Sequence, residues 1–138
     1  MIAYFFYGSN MCLPFLQQMG VRFGKYQKAV LHNYRFTVNV PDENPQFGYA
    51  NVIPQNNYKV DGLWIEINED DVAILDAYEN FPHDYLKKQV SVWVENKELS
   101  ATMYYGNPAI CVDKNLRLNE EQLYRMNWIK KEDFWNLS

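Results

Sequence analysis

A chain of 138 residues is one ordinary domain's worth of polypeptide and too short for two well-cored domains. Apolar residues make up 48% and charged residues 22%, which excludes a disordered chain, and six glycines and six prolines exclude collagen-like and low-complexity classes. Thirteen Lys and Arg against 17 Asp and Glu leave a formal charge of −4, the wrong sign for gripping a phosphate backbone, so no nucleic-acid partner is expected.

The first apolar run, Ile2 to Tyr7, is short and aromatic and reads as a buried strand stopped by Gly8-Ser9-Asn10. It falls far short of the roughly 20 residues that span a bilayer, and no basic-then-apolar leader precedes it. The expected setting is the cytoplasm, away from membranes. Cys12 and Cys111 lack a CxxC partner or a nearby His, so both are expected to be reduced, buried thiols, with no metal and no disulfide. Pro14 suits the first turn of a short helix that runs to Met19 and closes at Gly20, which leaves Gly8 to Met11 in a strand-to-helix loop.

Lys25 to Val40 reads as strand with a bend near His32-Asn33 and with Ala29, Leu31, Phe36, Val38 and Val40 turned inward. Pro41 to Pro45 is a polar loop, and two separate strands are expected at Tyr49 to Ile53 and Tyr58 to Asn68. At Asn68 the period changes. Asn68 is a helix cap, Glu69, Asp70 and Asp71 suit a first turn, and Val72, Leu75 and Glu79 follow at helical spacing for about three turns. Asn80 and Pro82 end that helix. Gln89 to Glu95 and Leu99 to Tyr105 form a hairpin, and a last helix begins at Asn119, with Leu123, Met126, Trp128 and Ile129 as its apolar stripe ending near Phe134 and Trp135. No repeat or linker interrupts the chain, so residues 1–138 read as one α+β domain, its sheet curled or closed.

Glu79 lies four residues after Leu75 and seven after Val72, on the face those residues turn inward, so a carboxylate is aimed at the core. A helix C-terminus and partial burial both disfavour ionisation, which moves a carboxyl toward a useful general-base range. The competing reading leaves Glu79 half-exposed and paired with Lys87 or Lys88. In Tyr7-Gly8-Ser9-Asn10-Met11, a glycine at a strand end frees the backbone to turn and leaves consecutive N–H groups open for an anion or oxyanion. Read alone, the same loop is also an ordinary turn.

Together these elements resemble the γ-glutamylcyclotransferase-like family, which includes AIG2-like and BtrG-like domains. Its members open with an apolar strand entering a Tyr-Gly-Ser-Asn motif, here Tyr7-Gly8-Ser9-Asn10. The likeness continues through Val60-Asp61-Gly62-Leu63-Trp64, then Leu75-Asp76-Ala77-Tyr78-Glu79, then Tyr85, and covers roughly residues 2 to 105. The resemblance implies a small, mixed β-barrel-like sheet with a few flanking helices and a pocket at its mouth. It also implies a cofactor-free and metal-free enzyme of transferase or lyase type that releases 5-oxoproline from a small γ-glutamyl amide. Glu79 is then the catalytic acid/base, and the amides around Gly8, Ser9 and Asn10 anchor the glutamyl group and its oxyanion. Tyr7, Tyr85 and Tyr104 are further substrate-binding candidates, as hydroxyl donors or pocket walls, with core packing as the plainer account of each. His32 and His83 fit no ligand pattern, and Ser9 has no neighbouring base that would make it a nucleophile.

Beyond Tyr105 the chain departs from the family's glutathione-cycle enzymes, which carry a Gly-Ala segment and a Leu-Pro-x-x-Tyr helix start where this chain has only Leu116 to Asn119. The leaving group therefore stays open among γ-glutamyl amino acids, γ-glutamylamines including an ε-lysine isopeptide fragment, and a γ-glutamyl-protected biosynthetic intermediate. The competing function is a catalytically silent member that binds a small acidic ligand, or a protein partner through Tyr124, Trp128, Phe134 and Trp135. A monomer or weak homodimer is the expected state.

Overall fold

The N-terminal apolar run forms β1 (Ile2–Phe6) in the computed structural model, which describes residues 1–136. Its side chains alternate between two cores. Tyr4 and Phe6 pack with Leu13, Leu16, Leu75 and Ile129, whereas Phe5 and Tyr7 pack with Leu31, Val60, Val92 and Met103. The first group includes helical residues and lies between sheet and helices; the second is built almost wholly from strands and fills the barrel. A strand buried on both faces has no need of polar alternation, which is why its sequence is continuously apolar.

Two antiparallel hairpins complete the sheet. β2 (Phe23–Pro41) pairs with β3 (Gly48–Ile67), and β4 (Tyr85–Val94) pairs with β5 (Lys97–Gly106). The order β1-β3-β2-β4-β5 closes into a barrel, with β5 meeting β1 in parallel where Thr102 lies opposite Tyr4. The curled or closed sheet expected from the sequence is thus a five-stranded barrel in an α+β fold.

The two short strands expected at Tyr49 to Ile53 and Tyr58 to Asn68 are one continuous β3. The polar stretch between them stays extended because β2 pairs with both ends, across a register shift between His32 and Tyr34. Asn33 and Asn57 take positive φ there, 64° and 70°, and the Asn57 N–H donates to Asn33 Oδ1 at 3.2 Å. The predicted bend at His32-Asn33 is this irregularity. Of the inward positions of β2, Ala29, Leu31, Val38 and Val40 are buried and Phe36 is only half-buried. Cys12 is buried as expected, but Cys111 is half-buried because it sits outside the closed sheet.

The helix caps follow local chemistry. α1 (Leu13–Met19) ends at Gly20 with φ 88°. The Asn68 side chain accepts from the Asp70 N–H at 2.9 Å, opening a single 3-10 turn (Glu69–Asp71) that continues into α2 (Val72–Tyr78). Asp71 does more than add N-terminal charge: it is buried and accepts from the Arg22 backbone N–H and guanidinium, tying α2 to the segment before β2. Asn80 takes φ 50° just beyond the helix. Asn119 accepts from the Gln122 N–H at 2.8 Å and starts α3 (Glu120–Trp128). The expected apolar stripe of α3 holds only in its last turn and beyond, because Leu123 and Tyr124 are exposed while Ile129 and Trp135 are buried. Phe134 and Trp135 are drawn into the fold, Phe134 edge-on to Tyr26 and Trp135 beneath the Lys28 ammonium, so they do not form a free interaction face.

Gly62 sits where β3 crosses β1, and a Cβ there would collide with the Phe6 carbonyl oxygen and the Phe5 ring. The backbone oxygen cannot move aside without breaking β1–β3 pairing. Gly62→Ala is therefore expected to destabilise the fold by about 3 kcal/mol, read as a lower urea midpoint.

Candidate active site

β1 delivers the chain to one end of the barrel, where Gly8 is followed by a single 3-10 turn (Ser9–Met11). The turn uses Met11 N–H to Gly8 O and Cys12 N–H to Ser9 O, both 3.1 Å, while the N–H groups of Gly8, Ser9 and Asn10 meet no acceptor among the described residues. α2 ends against this loop. Glu79 is its C-terminal cap, its N–H donating to Leu75 O at 2.9 Å, and its side chain turns toward the loop. There the Asn10 Nδ2 donates to Glu79 Oε1 at 2.6 Å, and Ser9 Oγ lies 2.9 Å from the Tyr78 hydroxyl. Asn10 is 5% exposed, and its Oδ1 is a buried acceptor with no donor among the described residues.

These groups border a cavity of about 250 Å³, lined by the Tyr7 to Asn10 segment, Glu79, Tyr85 and Tyr104 together with Phe5, Phe6, Tyr49, Ala50, Tyr78, Asp84, Gln122 and Arg125. All seven residues singled out in the sequence thus meet at one cavity, although they come from the segment after β1, the end of α2, β4 and β5. Tyr78, Tyr49, Asp84, Gln122 and Arg125 were not foreseen. Tyr78 was within reach, because it sits one residue before Glu79 in the same motif. The others are brought in by β3, by the turn after α2 and by α3, and carry no local signal of their own.

The Glu79 carboxyl is pushed up to about 7. Desolvation is the largest cause; the Asn10 hydrogen bond opposes it and the neighbouring Asp76 charge reinforces it. Glu79 keeps partial access to solvent because it opens on the cavity, while protein encloses its other sides. The pairing with Lys87 or Lys88 weighed from sequence does not form. Lys87 donates to Asp76 at 2.9 and 3.2 Å, and Lys88 lies over the Tyr34 and Tyr105 rings.

The tyrosines are walls whose hydroxyl protons are already committed. Tyr7 donates to Tyr104 O at 2.8 Å, Tyr85 to Ala50 O at 2.6 Å, and Tyr104 to Asp76 Oδ1 at 2.6 Å. Burial raises the pKa of all three, so each stays a neutral phenol near pH 7. His83 is exposed and bonded to Asp84, and His32 is exposed. Among the described residues no group of three or more His, Cys, Asp or Glu is placed to hold a metal ion, and no helix is long and apolar enough to cross a membrane.

The family described as gamma-glutamyl cyclotransferase, AIG2-like, matches residues 4–130, and the chain belongs to it. No curated protein sequence gives a significant match. Solved structures with this fold include one titled gamma-glutamyl cyclotransferase, 17% identical, covering 95% of this chain and 99% of its own, with TM-score 0.67. YkqA from Bacillus subtilis is 20% identical over 93% of this chain and 48% of its own, with TM-score 0.76. A yeast gamma-glutamyl cyclotransferase specific to glutathione is 11% identical over 99% of this chain and 90% of its own, with TM-score 0.68.

A folded-state pKa above the unfolded value means that the folded protein binds more protons between pH 4.5 and about 7. Stability contributed by Glu79 is therefore present below that window and lost as pH rises through it. Glu79→Gln is expected to flatten this part of the stability profile and to be more stable than the parent above pH 7, measured by urea unfolding at a series of pH values.

Proposed function

We propose that this protein is a γ-glutamyl cyclotransferase that releases 5-oxoproline from a γ-glutamyl amide, with Glu79 as the acid/base. The observation that carries this reading is a carboxyl with a pKa raised to about 7, facing a cavity and hydrogen-bonded to a loop that holds three unpaired N–H groups. Membership of the gamma-glutamyl cyclotransferase family supports it as well.

The reaction needs three things from the protein. The substrate's α-nitrogen must lose protons as it attacks its own γ-carbonyl carbon, the carbonyl oxygen must be stabilised as it becomes negative, and the leaving nitrogen must gain a proton. The ammonium gives up its first proton to bulk water before attack, which leaves Glu79 in its base form for the second. As the new C–N bond forms, Glu79 takes the second proton from that nitrogen and returns it to the leaving nitrogen as the amide C–N bond breaks. A pKa near 7 suits both halves of this transfer, since the carboxylate is a competent base and the acid a competent donor. The free amides of Gly8, Ser9 and Asn10 hold the glutamyl group and receive the developing oxyanion. Tyr7, Tyr85 and Tyr104 bind the glutamyl chain as walls and favour a folded substrate, in which the two reacting groups already lie close.

Incubation with γ-glutamyl amino acids, amines and peptides, followed by mass-spectrometric detection of 5-oxoproline, tests the reading. At least one substrate is expected to turn over, and Glu79→Gln to lose about a hundredfold or more in rate, the usual contribution of a general acid/base. Full activity in Glu79→Gln removes Glu79 from the mechanism. The kcat/KM profile is expected to rise with pH through a group near 7, the Glu79 value, since the base form starts the reaction. Activity is also expected to survive a chelator; loss with recovery on added zinc or magnesium would overturn the metal-free part of the proposal.

A further inference from the structure

α2 is a helix of seven residues that buries only Leu75, so apolar packing alone does not fix where its C-terminal end points. Side-chain ties do that. Just before its start Asp71 accepts from Arg22, and at its end Tyr78 meets Ser9 and Glu79 meets Asn10. Asp76 makes the tie to the barrel. Its Oδ1 accepts from the Tyr104 hydroxyl of β5 at 2.6 Å and from the Lys87 ammonium of β4 at 2.9 Å, and its Oδ2 accepts from the same ammonium at 3.2 Å. The Asp76 carbonyl accepts from the Phe81 N–H at 2.9 Å, and the Phe81 ring lies 4.5 Å from the Lys87 ammonium, so the chain leaving α2 is drawn into the same cluster.

Tyr78 and Glu79 line the cavity and Asp76 does not, so any effect of Asp76 on a bound substrate passes through another residue. Glu79 is three positions further along, a spacing that makes the two side chains neighbours on one helix face. A carboxylate at that spacing opposes ionisation of its neighbour, and among the described residues Asp76 is the charged group that adds to desolvation in raising Glu79. The other titratable groups around Glu79 are Tyr7 after β1, Tyr85 on β4 and Tyr104 on β5, all neutral phenols near pH 7, with Tyr49, Tyr78, Asp84 and Arg125 lining the same cavity. Of these only Tyr104 bonds to Asp76, and a neutral acceptor can keep that bond. The Lys87 ammonium, left without its carboxylate, would act on Glu79 in the same direction as loss of the Asp76 charge.

We propose that Asp76, tied to Lys87 and Tyr104, is a positioning residue for the cyclisation: it docks the last turn of α2 on the barrel and holds a negative charge on the Glu79 face, acting through Glu79 without touching substrate. The proposal rests on the cyclotransferase reading and extends it to a residue outside the cavity. With a neutral side chain at this position Glu79 gives up its proton more readily, and the rise of kcat/KM with pH moves to lower pH.

Asp76→Asn keeps the size of the side chain and an acceptor for Tyr104, and is expected to move that rise down by about one pH unit. Asp76→Glu keeps the charge and is expected to leave the rise in place even where the rate falls. If Asp76→Asn fails to fold because Lys87 is unpaired, the double variant Asp76→Asn with Lys87→Gln leaves no lone ion and is expected to move the rise in the same direction. A loss of rate with the rise at its parental pH in the neutral variant, or the same displacement in Asp76→Glu, overturns the proposal and makes Asp76 a packing residue only. Carbon-13 NMR titration of the Glu79 carboxyl, its signal assigned by its absence in Glu79→Gln, reads the same displacement with no substrate present. If no γ-glutamyl amide yields 5-oxoproline, the cyclotransferase reading fails separately, and this titration decides the coupling: a lower midpoint in the neutral variant sustains it, and an equal midpoint ends it.

Discussion

β1 has a strand on either side, antiparallel β3 and parallel β5, and this double pairing is the constraint on which the site depends. Without it the sheet has two open edges; with it the barrel is closed, and the chain leaving Phe6 has nowhere to go except the barrel's end. Tyr7 follows into the interior and binds the Tyr104 carbonyl, so the loop is anchored to β5 as it turns. Gly8 then passes Ala50 so closely that a Cβ would lie 3.3 Å from the Ala50 methyl. A loop held on both sides in this way is fixed in place by contacts to β3 and β5.

Two carboxylates three residues apart on α2 have different surroundings. Asp76 receives the Lys87 ammonium and the Tyr104 hydroxyl, while Glu79 receives only the neutral Asn10 amide. Lys87 is in turn stacked over Phe81 and Tyr104, which holds it on the Asp76 side. A cation beside Glu79 would lower its pKa and weaken it as a base; keeping Lys87 on Asp76 leaves Glu79 desolvated and raised toward neutrality. The Asp76-Lys87-Tyr104 cluster thus supports the wall of the cavity and holds the Lys87 ammonium on Asp76, while the Asp76 charge still raises the Glu79 pKa.

α3 forms the remaining wall. It packs chiefly against the 9–11 turn, none of its own residues is fully buried, and Ile129 just beyond its end is buried in the core.

What the sequence by itself determined is whatever rests on interactions between near neighbours in the chain. The caps at Asn68 and Asn119, the left-handed Gly20 and Asn80, the α2 face carrying Leu75 and Glu79, and the turn at Gly8 all follow from side chains and backbone within a few residues of one another. What only the tertiary structure decided lies in contacts that span the chain. The polar middle of β3 is strand because β2 pairs on either side of it, the tyrosine hydroxyls are spent because distant carbonyls and Asp76 lie opposite them, and Glu79 is desolvated because a loop 69 residues away closes over it. Arg125 reaches the cavity through the packing of α3 on that same loop. Helical period and capping are local; burial, pKa and the company a side chain keeps are set by the closure of the barrel.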